Sequence, residues 1–325
     1  MQVVITGGCG FLGRRLAQRL LDDPAAAGLS APLTRLTLFD TVAPERPVSD
    51  DPRLSVVTGD IADAASVTAL LAEADSVFHL AAVVSAGAEA DYDLGYRVNL
   101  DGTRNVIEGC RASGRVPRLV FASSIAAYGG ALPECVEDAT PVRPQTSYGV
   151  QKVMGELMIN DATRKGFLDG RAMRLPTIVV RPGKPNKAAS GFASGIIREP
   201  LSGVDFDCPV TPESAMAIMS PRTVTRCFTH LHALDGADIG ADRCVMLTGF
   251  RVSMAEAKAS LERVATNRRT GEIRFAVDPH IQSIVDGWPR ESRSARAADL
   301  GFPHDSSMDE IIREHIEDEL EGTAA

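Results

Sequence analysis

The chain of 325 residues has no surplus of positive charge: 34 Lys and Arg stand against 43 Asp and Glu, a net charge of -9. Nucleic-acid and anionic-membrane surfaces both need a strong basic patch, so neither partner is expected, and an anionic ligand would require a local cationic pocket. The six cysteines, at 9, 110, 135, 208, 227 and 244, include no CxxC pair. That signals neither a disulfide framework nor a cysteine zinc site, and reduced thiols in the cytoplasm are expected. His230 and His232 are two apart, face different ways on a helix, and have no companion ligand spacing, so no metal is expected. No apolar run approaches ~20 residues. There is no internal repeat, and the opening MQVVITGG leaves no room for a charged leader. A soluble, untargeted protein is expected.

What is present is an ordinary globular balance, 44% hydrophobic and 24% charged. In the first half, short apolar runs alternate with helical patterns: QVVIT, a helix from about Phe11, LTLFD, RLSVVTG, SVFHLA and RLVFASS. Such alternation predicts an α/β protein, a doubly wound parallel sheet of the Rossmann type. DDPAAAGLSAPL, residues 22–33, reads as a surface connection. AMRLPTIVVRPG reads as one further strand, RCVMLTG as a late strand, and MDEIIREHIEDELEG as a charged C-terminal helix. The stretch from Pro182 to Pro221 is rich in Gly, Pro, Ser and Lys and reads as loops over a pocket. Residues 1–181 are therefore expected to form a dinucleotide-binding domain. Residues 182–325 are expected to form mainly a substrate-binding region, with some elements returning to the sheet.

VVITGGCGFLG places Gly7, Gly10 and Gly13 between a strand and a helix. A dinucleotide's pyrophosphate needs close backbone approach and a helix N-terminus at that place. Asp40 ends the next apolar strand, where a carboxylate accepts hydrogen bonds from the adenosine ribose and repels a 2′-phosphate, favouring NAD over NADP. The interval from Gly13 to Asp40 is longer than usual because of the loop at 22–33.

TSYGVQKVMGE sets Tyr148 and Lys152 four apart at the start of a helix, hence on one face. An ammonium beside a phenol favours phenolate and prepares it to act as a general base.

Six ordered motifs, TGGCGFLG, GDI, HLAA, RVNLDGTRNV, FASSIAAYGG and SYGVQKVMGE, resemble those of the extended short-chain dehydrogenases/reductases, in the NAD-dependent epimerase/dehydratase group. The resemblance adds Phe11 and Leu12 to the glycine loop. It puts Asp60 and Ile61 beside the adenine, Leu80, Ala81 and Ala82 along the middle of the cofactor, and Asn99 in support of the active site. His79 is read as packing. The resemblance also implies a Ser, Tyr, Lys trio of Ser124, Tyr148 and Lys152. In that trio Tyr148 takes the substrate proton, Ser124 hydrogen-bonds the reacting oxygen, and Lys152 holds the nicotinamide ribose. Ser123 is the neighbour of opposite facing.

Relatives acting on nucleotide sugars carry RxxNVYGP after the sixth strand, and this chain departs from it with RLPTIVVRPGKPNKAASGFASGIIREPLSG. That stretch is rich in cations. Lys184, Lys187 and Arg198 lie in an expected lid and Arg222 opens the next helix, so a small carboxylate can be gripped, with Lys184, Arg198 and Arg222 as candidates and the two arginines favoured. Thr177 falls where relatives often carry Asn, beside the nicotinamide. Ser190, Phe192 and Ser194 are further candidates for substrate contact. The expected activity is NAD-dependent oxidation of a small sugar acid. The alternatives are another aldonate or uronate dehydrogenase and a sugar or nucleotide-sugar epimerase. An NAD-sensing module would have lost Tyr148 or Lys152. By resemblance the chain forms a homodimer through its two long helices.

Overall fold

The computed structural model describes residues 1–25, 28–44, 47–183 and 190–321. At its centre is a seven-stranded sheet in which neighbouring strands run parallel. Read across, the strands are Cys244–Met246, Asp169–Leu175, Arg118–Ser124, Ser76–His79, Gln2–Thr6, Arg35–Asp40 and Leu54–Thr58. Side chains alternate across each strand, which sorts the apolar residues onto two faces. Ile5, Leu36, Leu38, Phe78 and Val120 pack with Leu16, Leu20 and Phe228 of helices Phe11–Asp22 and Pro221–Ala233. Val4, Val77, Leu119 and Phe121 pack with Val67, Leu71, Val106 and Ile159 of helices Ala64–Leu71, Gly102–Ser113 and Ser147–Arg164. The winding reverses between Gln2–Thr6 and Ser76–His79, and open sheets of this kind bind ligands in the crevice at that point. Among the described residues no helix is long and apolar enough to cross a membrane.

The run AMRLPTIVVRPG is not one strand. Pro176 has no N–H for the ladder, so Asp169–Leu175 ends before it. Thr177–Ile178 then pairs with Ile218 and Met219 of strand Ala215–Met219, in a three-stranded sheet completed by Phe250–Ser253. The stretch read as loops between Pro182 and Pro221 holds a helix, Gly191–Leu201. Phe192, Ile196 and Ile197 recur at helical spacing and pack into a second core with Val252, Leu261, Ile311 and Ile312. The stretch's glycines, prolines and serines masked that period. This second core joins the helix to the C-terminal helix Met308–His315.

His79 is fully buried, its ring nitrogens 2.7 Å from Thr6 Oγ1 and 2.9 Å from Thr103 Oγ1. His232 is equally buried, with Nε2 2.8 Å from Ser76 Oγ. Burial, helped by the Lys152 charge, pulls the His79 pKa down to about 3, and burial with the Arg118 charge pulls His232 to about 4, from an ordinary value of 6.5. Below the ordinary value the unfolded chain binds protons that the folded chain does not, so stability falls as pH drops through this window. The loss is about 1.4 kcal/mol per histidine per pH unit. Urea unfolding at pH 5 should therefore show a clearly lower midpoint than at pH 7, and His232→Gln should shrink the difference. Equal midpoints would refute the assignment.

Candidate active site

The glycine loop closes tightly on itself and on the fourth strand's end. Gly7 has φ +68°, and a Cβ there would lie 2.7 Å from the Ala81 nitrogen; one on Gly13 would lie 2.4 Å from the Gly7 carbonyl oxygen. Gly10 caps helix Phe11–Asp22 with no side chain bonded to the helix's first N–H groups. Those donors and the helix dipole suit a pyrophosphate. Asp40 stands beside the loop, Oδ2 accepting from the Cys9 N–H at 3.0 Å and Oδ1 from the Thr41 N–H at 2.8 Å. Asp60 accepts from the Ala62 N–H at 2.9 Å and from Arg97 Nη1 at 2.7 Å, which together hold its carboxyl below the usual range. Ile61 is buried, and its carbonyl accepts from Asn105 Nδ2 at 3.0 Å. The Leu80 and Ala81 N–H groups donate to Thr6, at 3.0 Å to its carbonyl and 3.3 Å to Oγ1, so the segment through Ala82 lines the crevice beside the loop. Buried Asn99 bonds Val83 on both backbone groups, at 2.7 and 3.0 Å, and donates to Gln151 Oε1 at 2.8 Å. It thereby fixes this segment to the helix that carries Tyr148. The cradle of glycines, free helix donors and flanking carboxylates fits a dinucleotide.

That helix, Ser147–Arg164, begins where the Thr146 hydroxyl accepts from the Gly149 N–H at 3.1 Å. Tyr148 and Lys152 share a face, with Nζ 5.5 Å from the Tyr148 ring centroid and 4.7 Å from that of Phe121. Ser124 ends the strand Arg118–Ser124, its hydroxyl accepting from the Ala126 N–H at 3.1 Å and lying near enough to the Tyr148 phenol to favour its ionised form. Its neighbour Ser123 turns the other way and donates to Glu156. Burial pushes the Tyr148 pKa up to about 12, while Ser124 and the positive charge of Arg181 draw it back down. The Lys152 ammonium lies over the Tyr148 ring and is not hydrogen-bonded to the phenol oxygen. The Lys152 ammonium donates to the Ala122 carbonyl at 2.8 Å, and burial lowers its own pKa to about 8 against the pull of Glu156.

Residues 3–237 match the family described as NAD dependent epimerase/dehydratase. The chain belongs to that family. It is 50% identical to the D-erythronate dehydrogenase of Cupriavidus necator, over 98% of this chain and 98% of that one. It is 43% identical to the D-erythronate dehydrogenase of Haemophilus influenzae, over 98% and 99%. Among solved structures, a nucleoside-diphosphate-sugar epimerase from Agrobacterium tumefaciens superimposes with a TM-score of 0.92 at 40% identity, covering 99% of this chain and 95% of that one. An L-threonine dehydrogenase from Clostridium difficile, 23% identical, shares the fold at a TM-score of 0.86 over 100% and 99% of the two chains.

Within this epimerase/dehydratase fold the candidate cations part company. Arg222 sits in the first turn of helix Pro221–Ala233 and is bound to Glu317 and Asp318 of the C-terminal segment, a surface it shares with Arg15. Its guanidinium is thus paired with carboxylates of this chain. Arg198 is buried, with Nη1 donating to the Arg181 carbonyl at 2.7 Å and Nε to Glu199 at 3.0 Å. Lys184 and Lys187 lie outside the described residues. Thr177 is half-buried in its short strand opposite Ile218. The residue that sequence reasoning passed over is Arg181. Its signal was present, a lone cation closing the apolar run TIVV.

Proposed function

We propose that this chain oxidises the C2 hydroxyl of a small sugar acid, D-erythronate, with NAD. The observation that carries this reading is the Lys152 ammonium 5.5 Å from the Tyr148 ring centroid beside the end of strand Arg118–Ser124, with Ser124 and Arg181 near enough to draw the phenol's pKa down. Two D-erythronate dehydrogenases similar over their full length supply the substrate's name. Gly7, Gly10, Phe11, Leu12 and Gly13 would hold the pyrophosphate, Asp40 the adenosine ribose, and Asp60 with Ile61 the adenine. Leu80 to Ala82 and Thr177 would line the way to the nicotinamide, whose ribose falls to Lys152. When bound, the dinucleotide supplies the acceptor for the hydrogen and electron pair that leave C2, so the O–H proton taken by Tyr148 completes the 2-oxo acid. Ser124 holds the reacting oxygen, and each cation near the phenol favours the form that can receive a proton.

Residues 1–181 serve the cofactor in this reading and 182–325 mainly the substrate, in a cytoplasmic homodimer. Helix Ser147–Arg164 presents Leu157, 65% exposed, and Met154 as the apolar start of a dimer face. A second reading, nucleotide-sugar epimerase, is favoured by the name of the Agrobacterium structure. Mixing the purified chain with NAD or NADP and a panel of four- to six-carbon aldonates and uronates separates the two. Reduced nicotinamide should accumulate with D-erythronate and NAD. No net reduction with any member, and a tightly held cofactor, would favour the epimerase.

A further inference from the structure

The arginines drawn deepest into the fold each hold a carboxylate: Arg171 holds Asp169, Arg174 holds Glu156, and Arg198 holds Glu199. Arg181 is the exception. Its backbone N–H donates to Ser194 Oγ at 3.0 Å, Nε to the Ile178 carbonyl at 3.2 Å, and Nη2 to Ser190 Oγ at 2.6 Å. All three partners are neutral, and among the described residues no carboxylate is paired with it. Withdrawing a guanidinium from water without a counter-ion is costly unless an anion arrives to pair with it. The same group lies close enough to the Tyr148 phenol for their charges to interact.

We propose that Arg181 grips the substrate carboxylate and so fixes which hydroxyl reaches Tyr148. This rests on the sugar-acid reading above. In a 2-hydroxy acid the carboxylate and the reacting hydroxyl are on adjacent carbons. A guanidinium beside the phenol therefore selects C2, and a fork of N–H donors matches the planar anion. The neutral bonds to Ile178 and Ser190 aim the side chain without consuming its charge. Arg198, favoured by sequence as a direct ligand, becomes a positioning residue. It ties down the Arg181 carbonyl, while Glu199 balances its own charge. The substrate class that follows is a short 2-hydroxy carboxylate, and a neutral polyol or a sugar with its carboxyl blocked should be a poor substrate.

The test compares wild type, Arg181→Met and Arg181→Lys on D-erythronate and on its uncharged primary amide. Arg181→Met should raise KM for the acid about 100-fold. It should lower kcat/KM for the amide far less, by the share that the lost charge near Tyr148 contributes to both substrates, and leave the affinity for NAD within about threefold, and lysine should restore part of the loss. Equal losses on acid and amide, or an unchanged KM for the acid, would overturn the assignment. Oxalate, a carboxylate that cannot be oxidised, gives an activity-free arm: its equilibrium binding to wild type with NADH should be lost in Arg181→Met. If no aldonate is oxidised by wild type, the proposed activity fails, and the oxalate measurement still decides the carboxylate site. Oxalate binding equally well to both proteins would overturn it.

Discussion

Tyr148→Phe should lower kcat for sugar-acid oxidation by about a thousandfold while leaving NAD affinity nearly unchanged. The substitution removes one oxygen from a half-buried ring whose hydroxyl lies near Ser124, so the helix Ser147–Arg164 and its packing should survive. What is lost is the acceptor for the substrate proton. Burial holds the phenol protonated, up to about 12, and only the deprotonated form can accept a proton. Wild-type kcat/KM should therefore climb with pH, helped by the cations that offset burial, and the residual rate of the phenylalanine variant should not follow that rise. Full activity in the variant would remove Tyr148 as the base. A large loss of NAD binding would instead indicate that the ring shapes the cofactor site. The Lys152 ammonium lies on the Ala122 carbonyl and over the rings of Phe121 and Tyr148, and is not bonded to the phenol oxygen.

The parts of this site visible in the sequence are those whose chemistry is local. Glycines at a strand-to-helix turn, an aspartate at the next strand's end, and a tyrosine one turn from a lysine are all set by backbone periods of two and 3.6 residues. The sheet follows for the same reason, because Val3 to Ile5, Leu36, Leu38 and Leu119 to Phe121 are apolar runs with helices on either side. The cations could not be assigned this way. Arg222 and its partners Glu317 and Asp318 are far apart in sequence and meet only because the C-terminal segment packs against helix Pro221–Ala233. Arg181 comes near enough to Tyr148 for their charges to interact because Pro176 ends one strand and the chain crosses to a second sheet. Composition counted the positive charges after residue 182 without showing which are already neutralised by acids of the chain.

Glu156 marks the other limit of sequence reading: it appears there only as the end of VMGE, yet Glu156→Ala should destabilise the fold by about 3–5 kcal/mol. The carboxylate is buried one turn beyond Lys152 and takes both arms of Arg174, from Nε at 3.0 Å and Nη2 at 2.7 Å, together with the Ser123 hydroxyl. Arg174 in turn donates through Nη1 to the Tyr128 hydroxyl at 2.8 Å. Removing the acid leaves a mostly buried guanidinium without its counter-charge and a buried serine without its acceptor. A loss of that size is a large share of the ~5–15 kcal/mol by which domains are stable. Urea or thermal unfolding measures it directly. The cause is tested by the double variant Glu156→Leu with Arg174→Met. Replacing both charges with apolar groups of similar volume should recover most of the stability, because the penalty comes from the widowed arginine more than from the lost bond. The double variant should still lose activity, since Glu156 supports the protonated form of Lys152 and Ser123 adjoins Ser124. If the single variant is as stable as wild type, the Glu156–Arg174 pair contributes little to the fold. If the double variant is no better than the single one, the cost lies in packing and not in charge.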